Sequence, residues 1–464
     1  MINLNDISQA IGGEIISDAQ LKIKHLTSST EVPRRQCLYF IREYIEQDYL
    51  LKYIKKYNVS GVVIKLSYNY DLDKLIKQKL SIIMVTSVNT AFYTAIKYYR
   101  SLFNIPVVEV TGSSGKTTTK EMIGCILNEQ FNTLIGEANY NAPSGVAYNI
   151  DNLKPKHQAM VLEAGMKDIG IIDLSSWMIK PTIGVITCIQ RAHLTSLKSE
   201  DNIVKAKSEM LPHIDSFGAL IINGDDELSQ KIDFTLYEGS IYKVGLTEQN
   251  DLYATDIIYE NYRTKFKVHD HLGEVVDYEL NTFGEYNVRN ALLAIKVGLC
   301  LDIPHHLMLK GLKRFKPMKR RQKVMSLRDN IDIIDDNFNA NPESTIQLIK
   351  ELPKVTEDKE LIIVFGDIER PDEDIRDYAK LVHYEIGLSI SEIEFSKLIT
   401  IGKWSKEACQ ACLDQGIQKA KLYHFNTVES ANGILRRVVV PNTLIVLKAQ
   451  FAYVDLQVLV KELL

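Results

Sequence analysis

The chain has 464 residues, of which 45% are hydrophobic and 25% charged, with a net charge of −4. This length accommodates about three domains of ordinary size, and the slightly acidic balance excludes the broad basic surface needed for nucleic acid or an anionic membrane. The opening MINLNDISQAIGGE has no basic stretch followed by an apolar one, and no apolar run approaches the ~20 residues that cross a bilayer, so a cytoplasmic protein with no membrane span is expected.

The six cysteines are scattered and form no disulfide framework. Cys409 and Cys412 make one CxxC, inside a stretch of helical pattern. Residues 1–104 mix short β-like runs (LKIKHLT, CLYFI, GVVIK, SIIMVT) with helical stretches at 46–57 and 91–103, which reads as a small α/β domain. Over 105–314 the strands become near-continuous apolar runs (VVEV, AMVLEAG, TIGVITCI, GALIIN) between helices. Such strands are buried on both faces, as in a mostly parallel sheet covered by helices. Between residues 251 and 281 shorter alternating segments predict hairpin strands on the same domain. A helix over 285–301 places Val288, Ala291, Leu292, Ile295 and Leu299 on one face. The basic, proline-containing KRFKPMKRRQ at 313–322 reads as a hinge. Residues 315–464 again alternate strand and helix: IDIIDD, a helix from Pro342, LIIVFGD, a helix from Asp374, KLITIG, a helix near Lys406, then NTLIVLK and a last helix. That pattern predicts a doubly wound, Rossmann-like domain. The expected fold class is α/β, in three domains.

The rest is organised around residues 107–122, VVEVTGSSGKTTTKEM, where an apolar strand runs through a glycine loop into a helix. Gly112 and Gly115 let the backbone turn and aim N–H groups at an anion. Lys116 offers a point charge to the β- and γ-phosphates, and the Thr117 or Thr118 hydroxyl can reach a magnesium ion. Only Ser113 and Ser114 separate the glycines, fewer than in the general P-loop. Glu163 closes the apolar strand of MVLEAGM, where a carboxylate faces the crevice at a strand's carboxyl end. Lys207, in DNIVKAKSEML, falls on the apolar stripe with Ile203 and Met210, while Lys205 points elsewhere. Desolvation there depresses a lysine pKa and favours the neutral amine, which can take up CO₂.

A loop of this shorter TGSSGKT form resembles that of the Mur ligases, ATP-dependent amide-forming enzymes of bacterial cell-wall synthesis. Several further segments match in the same order, best in the MurF branch, which adds D-alanyl-D-alanine to a UDP-muramoyl tripeptide. NYNAPSGV at 139–146 resembles that branch's N-x-N-N-x-x-G-V, supplying Asn139 and Asn141 on the substrate side and departing at Ala142, Pro143 and Ser144. The resemblance implies that Glu163 holds Mg²⁺, and that His193 of QRAHLTSL and a carbamylated Lys207 serve a second Mg²⁺. Asn287 and Asn290 of FGEYNVRNALLA match the segment that meets the adenine, with Tyr286 in place of a histidine. Arg321 corresponds to an arginine that reaches ATP phosphate from the third domain. Asp335 and Asp336 in IIDDNFNANPES match DDSYNANP, with Asp336 approaching the nucleotide on closure and Asn339 and Asn341 shaping the site.

Two stretches depart from the family. The DSR and DGH motifs for the uridine nucleotide are replaced by SSTEVPRRQCLYFIREYIEQDY, where Arg34, Arg35 and Arg42 are the guanidinium groups at hand. Near the C-terminus K-G-S-R becomes Lys448, Ala449, Gln450 and Phe451. The resemblance implies an ATP-dependent peptide ligase working through an acyl phosphate, with ATP and two Mg²⁺. Its partners would be a carboxylate acceptor such as a UDP-muramoyl peptide and an amine such as a dipeptide, and the chain would act as a monomer. The same chemistry on another acid and amine in specialised peptide biosynthesis, or a nucleotide-binding P-loop module without ligase activity, are the other readings of these residues.

Overall fold

The computed structural model describes residues 2–30, 34–137, 139–190, 197, 199–271, 273–368, 376–461 and 463. Three sheets follow one another along the chain. The first contains β1 (Glu14–Ser17), β2 (His25–Ser28), β3 (Cys37–Phe40), β4 (Gly61–Lys65) and β5 (Ser81–Val85), in the order β1-β5-β4-β3-β2. Only β1 runs antiparallel to its neighbour. The helix expected at 91–103 is Val88–Ser101, starting earlier because Ser87 Oγ accepts from Thr90 N at 3.3 Å and caps it. The helix expected at 46–57 is Gln47–Tyr57.

The second sheet has nine strands: β6 (Val107–Thr111), β7 (Thr133–Ile135), β8 (Ala159–Glu163), β9 (Ile183–Ile186), β10 (Ala219–Asn223), β11 (Ser240–Gly245), β12 (Leu252–Glu260), β13 (Arg263–Asp270) and β14 (Val275–Leu280). Their order is β14-β13-β12-β11-β10-β9-β6-β8-β7, parallel from β7 across to β12 and antiparallel through the last two. The chain leaves β6 to build β7 and β8 on one side, then crosses to β9 on the other. The carboxyl end of β6 is therefore a switch point, where diverging connections open a crevice. The helix Glu285–Cys300 buries Val288, Ala291, Leu292 and Ile295 against Val108, Val110, Met122 and Ile123, as the helical spacing predicts.

The third sheet is β15 (Lys323–Ser326), β16 (Asp332–Asp336), β17 (Glu360–Gly366), β18 (Lys397–Ile401), β19 (Leu422–Phe425) and β20 (Thr443–Lys448), ordered β15-β16-β20-β17-β18-β19. All but β15 are parallel, so Asp336 and Lys448 end adjacent strands on one edge of the domain. The helix expected from Asp374 is described as Arg376–Ser391, residues 369–375 lying outside the described ones, and the last helix is only Gln457–Val460. Cys409 and Cys412 are buried free thiols in the helix Lys406–Asp414. Cys412 Sγ donates to Gly387 O at 3.4 Å, and burial raises both thiol pKa values, so the CxxC is part of a core. Among the described residues no helix is long and apolar enough to cross a membrane.

Candidate active site

The glycine loop is built by close approach. Gly112 has φ +145° and Gly115 has φ +78°; a side chain on the first would overlap Thr187, and one on the second would overlap Asn290. Ser113 N donates to Cys188 O at 2.8 Å and Thr187 Oγ1 donates to Ser114 O, so the loop is tied to the chain leaving β9. Gly115 then caps the helix Lys116–Leu127, whose free N–H groups face the crevice. Lys116 Nζ donates to Gly112 O at 2.8 Å and Ser113 O at 3.3 Å, folding its charge over the loop. Burial lowers its pKa.

Glu163, at the end of β8, lies beside the loop. Its two oxygens accept from Thr117 Oγ1 and Asn141 Nδ2, each at 2.7 Å. Of the two threonines, Thr117 is thus the one turned toward the carboxylate; Thr118 lines the cleft farther along. Lys207, in the helix Glu200–Ser208, is 1% exposed, and desolvation followed by the nearby Lys116 charge moves its pKa well below the usual lysine range. Its side chain lines the same cleft as Glu163 and Lys116. His193 lies outside the described residues.

The opposite wall comes from the third domain, and together they enclose about 750 Å³. Asp336 Oδ2 accepts from Lys448 Nζ at 2.5 Å and its Oδ1 from Gln322 N at 3.1 Å, while Asp335 points away to Gln457. The Arg321 guanidinium packs 4.5 Å from the Phe338 ring, with its pKa lowered by burial. Asn139, Asn339, Gln450 and Phe451 line the space, and Asn341 Nδ2 donates to Ser114 Oγ of the loop at 2.7 Å. Asn287 and Asn290 are both in the wall, but their amides are largely engaged. Asn287 Nδ2 donates to Gln322 Oε1 at 2.6 Å, linking the middle domain to the third, and Asn290 Oδ1 accepts from Thr119 Oγ1 at 3.1 Å behind the loop. Tyr286 joins them, its hydroxyl pKa raised by burial.

Sequence reasoning did not single out Gln322 or the Lys448–Asp336 ion pair as parts of this wall. The position of Lys448 after an apolar strand carries the same crevice signal as Glu163, whereas nothing in the basic hinge marks Gln322. In the first domain the three guanidinium groups have different settings. Arg34 is not held ready for a phosphate: its Nη1 donates to Asp151 Oδ2 and Asn152 Oδ1, both at 2.8 Å, and its guanidinium covers the Tyr148 ring at 4.1 Å. Arg42 lies 5.2 Å from the Tyr93 ring, and Arg35 is exposed.

Comparison with known proteins bears on both walls. Residues 110–298 match the Mur ligase middle domain and residues 320–451 the Mur ligase, glutamate ligase domain. The UDP-N-acetylmuramoyl-tripeptide--D-alanyl-D-alanine ligase of Buchnera aphidicola subsp. Baizongia pistaciae is 31% identical over 326 residues, covering 70% of this chain and 69% of that protein. The Bacillus subtilis enzyme of the same name is 28% identical over 384 residues, covering 83% and 81%. The crystal structure of MurF from Acinetobacter baumannii superposes with a TM-score of 0.86 at 25% identity, over 99% of this chain and 98% of that one. MurF of Thermotoga maritima, solved in complex with ADP, shares the fold with a TM-score of 0.78 at 18% identity, over 96% and 98%. On the extent of these matches, the chain belongs to the Mur ligase family, in its MurF branch of ATP-dependent enzymes that form a peptide bond.

Proposed function

We propose that this cleft binds ATP with its phosphates on the 112–115 loop, and that the chain joins D-alanyl-D-alanine to the terminal carboxylate of a UDP-muramoyl tripeptide. One observation carries the reading: a phosphate-type loop, a strand-end carboxylate and a desolvated lysine on the middle domain face Arg321, Asp336 and Lys448 of the third across a single cleft. The loop N–H groups and Lys116 hold the γ-phosphate, and Arg321 adds positive charge from the other side, where charge spreads over the transferring phosphoryl oxygens. The acceptor carboxylate attacks phosphorus and ADP leaves. The amine then attacks the acyl carbon, loses a proton and expels phosphate. Closure of the cleft keeps water from the acyl phosphate.

Hard oxygen donors suit Mg²⁺, and the Thr117 hydroxyl and Glu163 carboxylate, 2.7 Å apart, present such a set. Bound there, Mg²⁺ would neutralise phosphate charge. Two ions are proposed, with His193 and Lys207 serving the second. Lys207 is suited to this as a carbamate: its neutral amine forms an N–C bond to CO₂ and releases a proton, turning a base into a pair of oxygen ligands. A second reading, the same chemistry on a different acid and amine, is favoured by the absence of DSR and DGH and by Ala449, Gln450 and Phe451 near the third-domain strand end. Phosphate release measured with each acid and amine, alone and together, tests the assignment. Release that requires both UDP-muramoyl tripeptide and D-alanyl-D-alanine supports it, and release indifferent to either substrate counts against it.

A further inference from the structure

The carboxamide of Asn341 serves two elements at once. Its Oδ1 accepts from Ser344 N at 2.8 Å, capping the helix Pro342–Glu351, and Ser344 Oγ accepts from Asn341 N at 3.3 Å. This reciprocal cap fixes which end of the amide faces the helix. The Nδ2 group is left to cross the cleft, where it donates to Ser114 Oγ at 2.7 Å. Ser114 is held from behind: its carbonyl accepts from Thr187 Oγ1, and the preceding N–H is bonded to Cys188 O. Its backbone therefore belongs to the middle domain while its hydroxyl oxygen receives a bond from the third. Because that oxygen is the acceptor from Asn341, its own proton can be donated to a phosphate oxygen on the loop.

We propose that Ser114 and Asn341 form a relay through which an anion on the loop tightens the docking of the third domain. The proposal rests on the reading of the loop as a phosphate site. A hydroxyl that donates to an anion becomes a better acceptor, so the two bonds strengthen each other. Linkage makes the effect reciprocal: whatever the anion adds to docking, docking adds to anion affinity. Asn341 is thus a positioning residue, acting on the phosphate through Ser114.

The test is a double-mutant cycle with Asn341→Ser and Ser114→Ala. Serine caps a helix about as well as asparagine, but one short hydroxyl cannot both cap and cross the cleft. Calorimetry gives the affinity for Mg²⁺–ADP, and X-ray scattering gives the compaction that ADP induces. Asn341→Ser is expected to weaken ADP about fivefold or more and reduce compaction in the parent, with an unchanged melting temperature, and to do nothing further in a Ser114→Ala background. Equal losses in both backgrounds, or parent-like binding and compaction by Asn341→Ser, overturn the relay. A parent that fails to bind ADP at all would overturn the phosphate-site reading itself.

Discussion

Two polar clusters of this chain use charge in opposite ways. At the junction of the first and middle domains Asp151, 1% exposed, is saturated: it accepts from His25 Nδ1 at 2.7 Å, Leu26 N at 2.8 Å and Arg34 Nη1 at 2.8 Å. In the cleft Lys207, equally buried, keeps its amine in a lined cavity beside another lysine, at the cost of a strongly depressed pKa. Charges that neutralise one another build architecture. A buried ionisable group kept facing open volume, its charge suppressed by desolvation, is sustained by what the site has to bind.

Removing either cleft lysine should therefore abolish chemistry and spare the fold. Lys116→Ala is expected to lower turnover by about a hundredfold or more with a melting temperature close to the parent's; turnover within about tenfold would break the loop assignment. Lys207→Ala should also be inactive, but partly recovered by a short carboxylic acid that supplies the lost oxygens. Failure of every such acid, together with an unmodified lysine in the mass spectrum of the native active chain, would remove the carbamate.

Glu109 is a third case: among the described residues it has neither a lined cavity nor a cation beside it. It lies fully buried in β6, takes one hydrogen bond from Ser176 Oγ at 2.6 Å, and is pushed up to about 8 by desolvation. From the ordinary carboxylate range up to pH 8 the unfolded chain has given up this proton while the folded chain keeps it, so stability falls as pH rises, by at most about 1.4 kcal/mol per unit. Glu109→Gln should flatten that slope, raising the melting temperature at pH 8 more than at pH 5. Equal shifts at both would show that Glu109 finds a partner. The smallest effect belongs to the junction. Arg34→Met should cost about 2 kcal/mol in urea unfolding by leaving Asp151 underpaired, with kcat of the folded enzyme nearly unchanged; a selective rise in the KM for a UDP-sugar peptide would assign Arg34 to substrate binding instead.

The cleft was more legible than the junction for a physical reason. A strand, a glycine loop and a helix are contiguous, and Glu163 and Lys207 announce themselves by position against local periodicity. Arg34 instead finds Asp151 117 residues away, and no local pattern records that pairing, so the sequence left the basic turn open between a solvated surface and a phosphate contact. The same holds for Gln322 with Asn287 and for Asn341 with Ser114, whose roles exist only once the third domain meets the middle one. Helix starts shifted where a cap, such as Ser87, lay outside the apolar pattern.

In the proposed reaction this cleft moves the γ-phosphoryl group of ATP onto an acceptor carboxylate. The most direct test is to run the reaction with UDP-muramoyl tripeptide carrying heavy oxygen in its terminal carboxylate, with D-alanyl-D-alanine and ATP, and to weigh the released phosphate. One heavy oxygen in each phosphate is the predicted result, since the carboxylate oxygen bridging to phosphorus departs with it. Phosphate containing only oxygen from ATP and water, formed alongside the peptide product, would rule out an acyl phosphate.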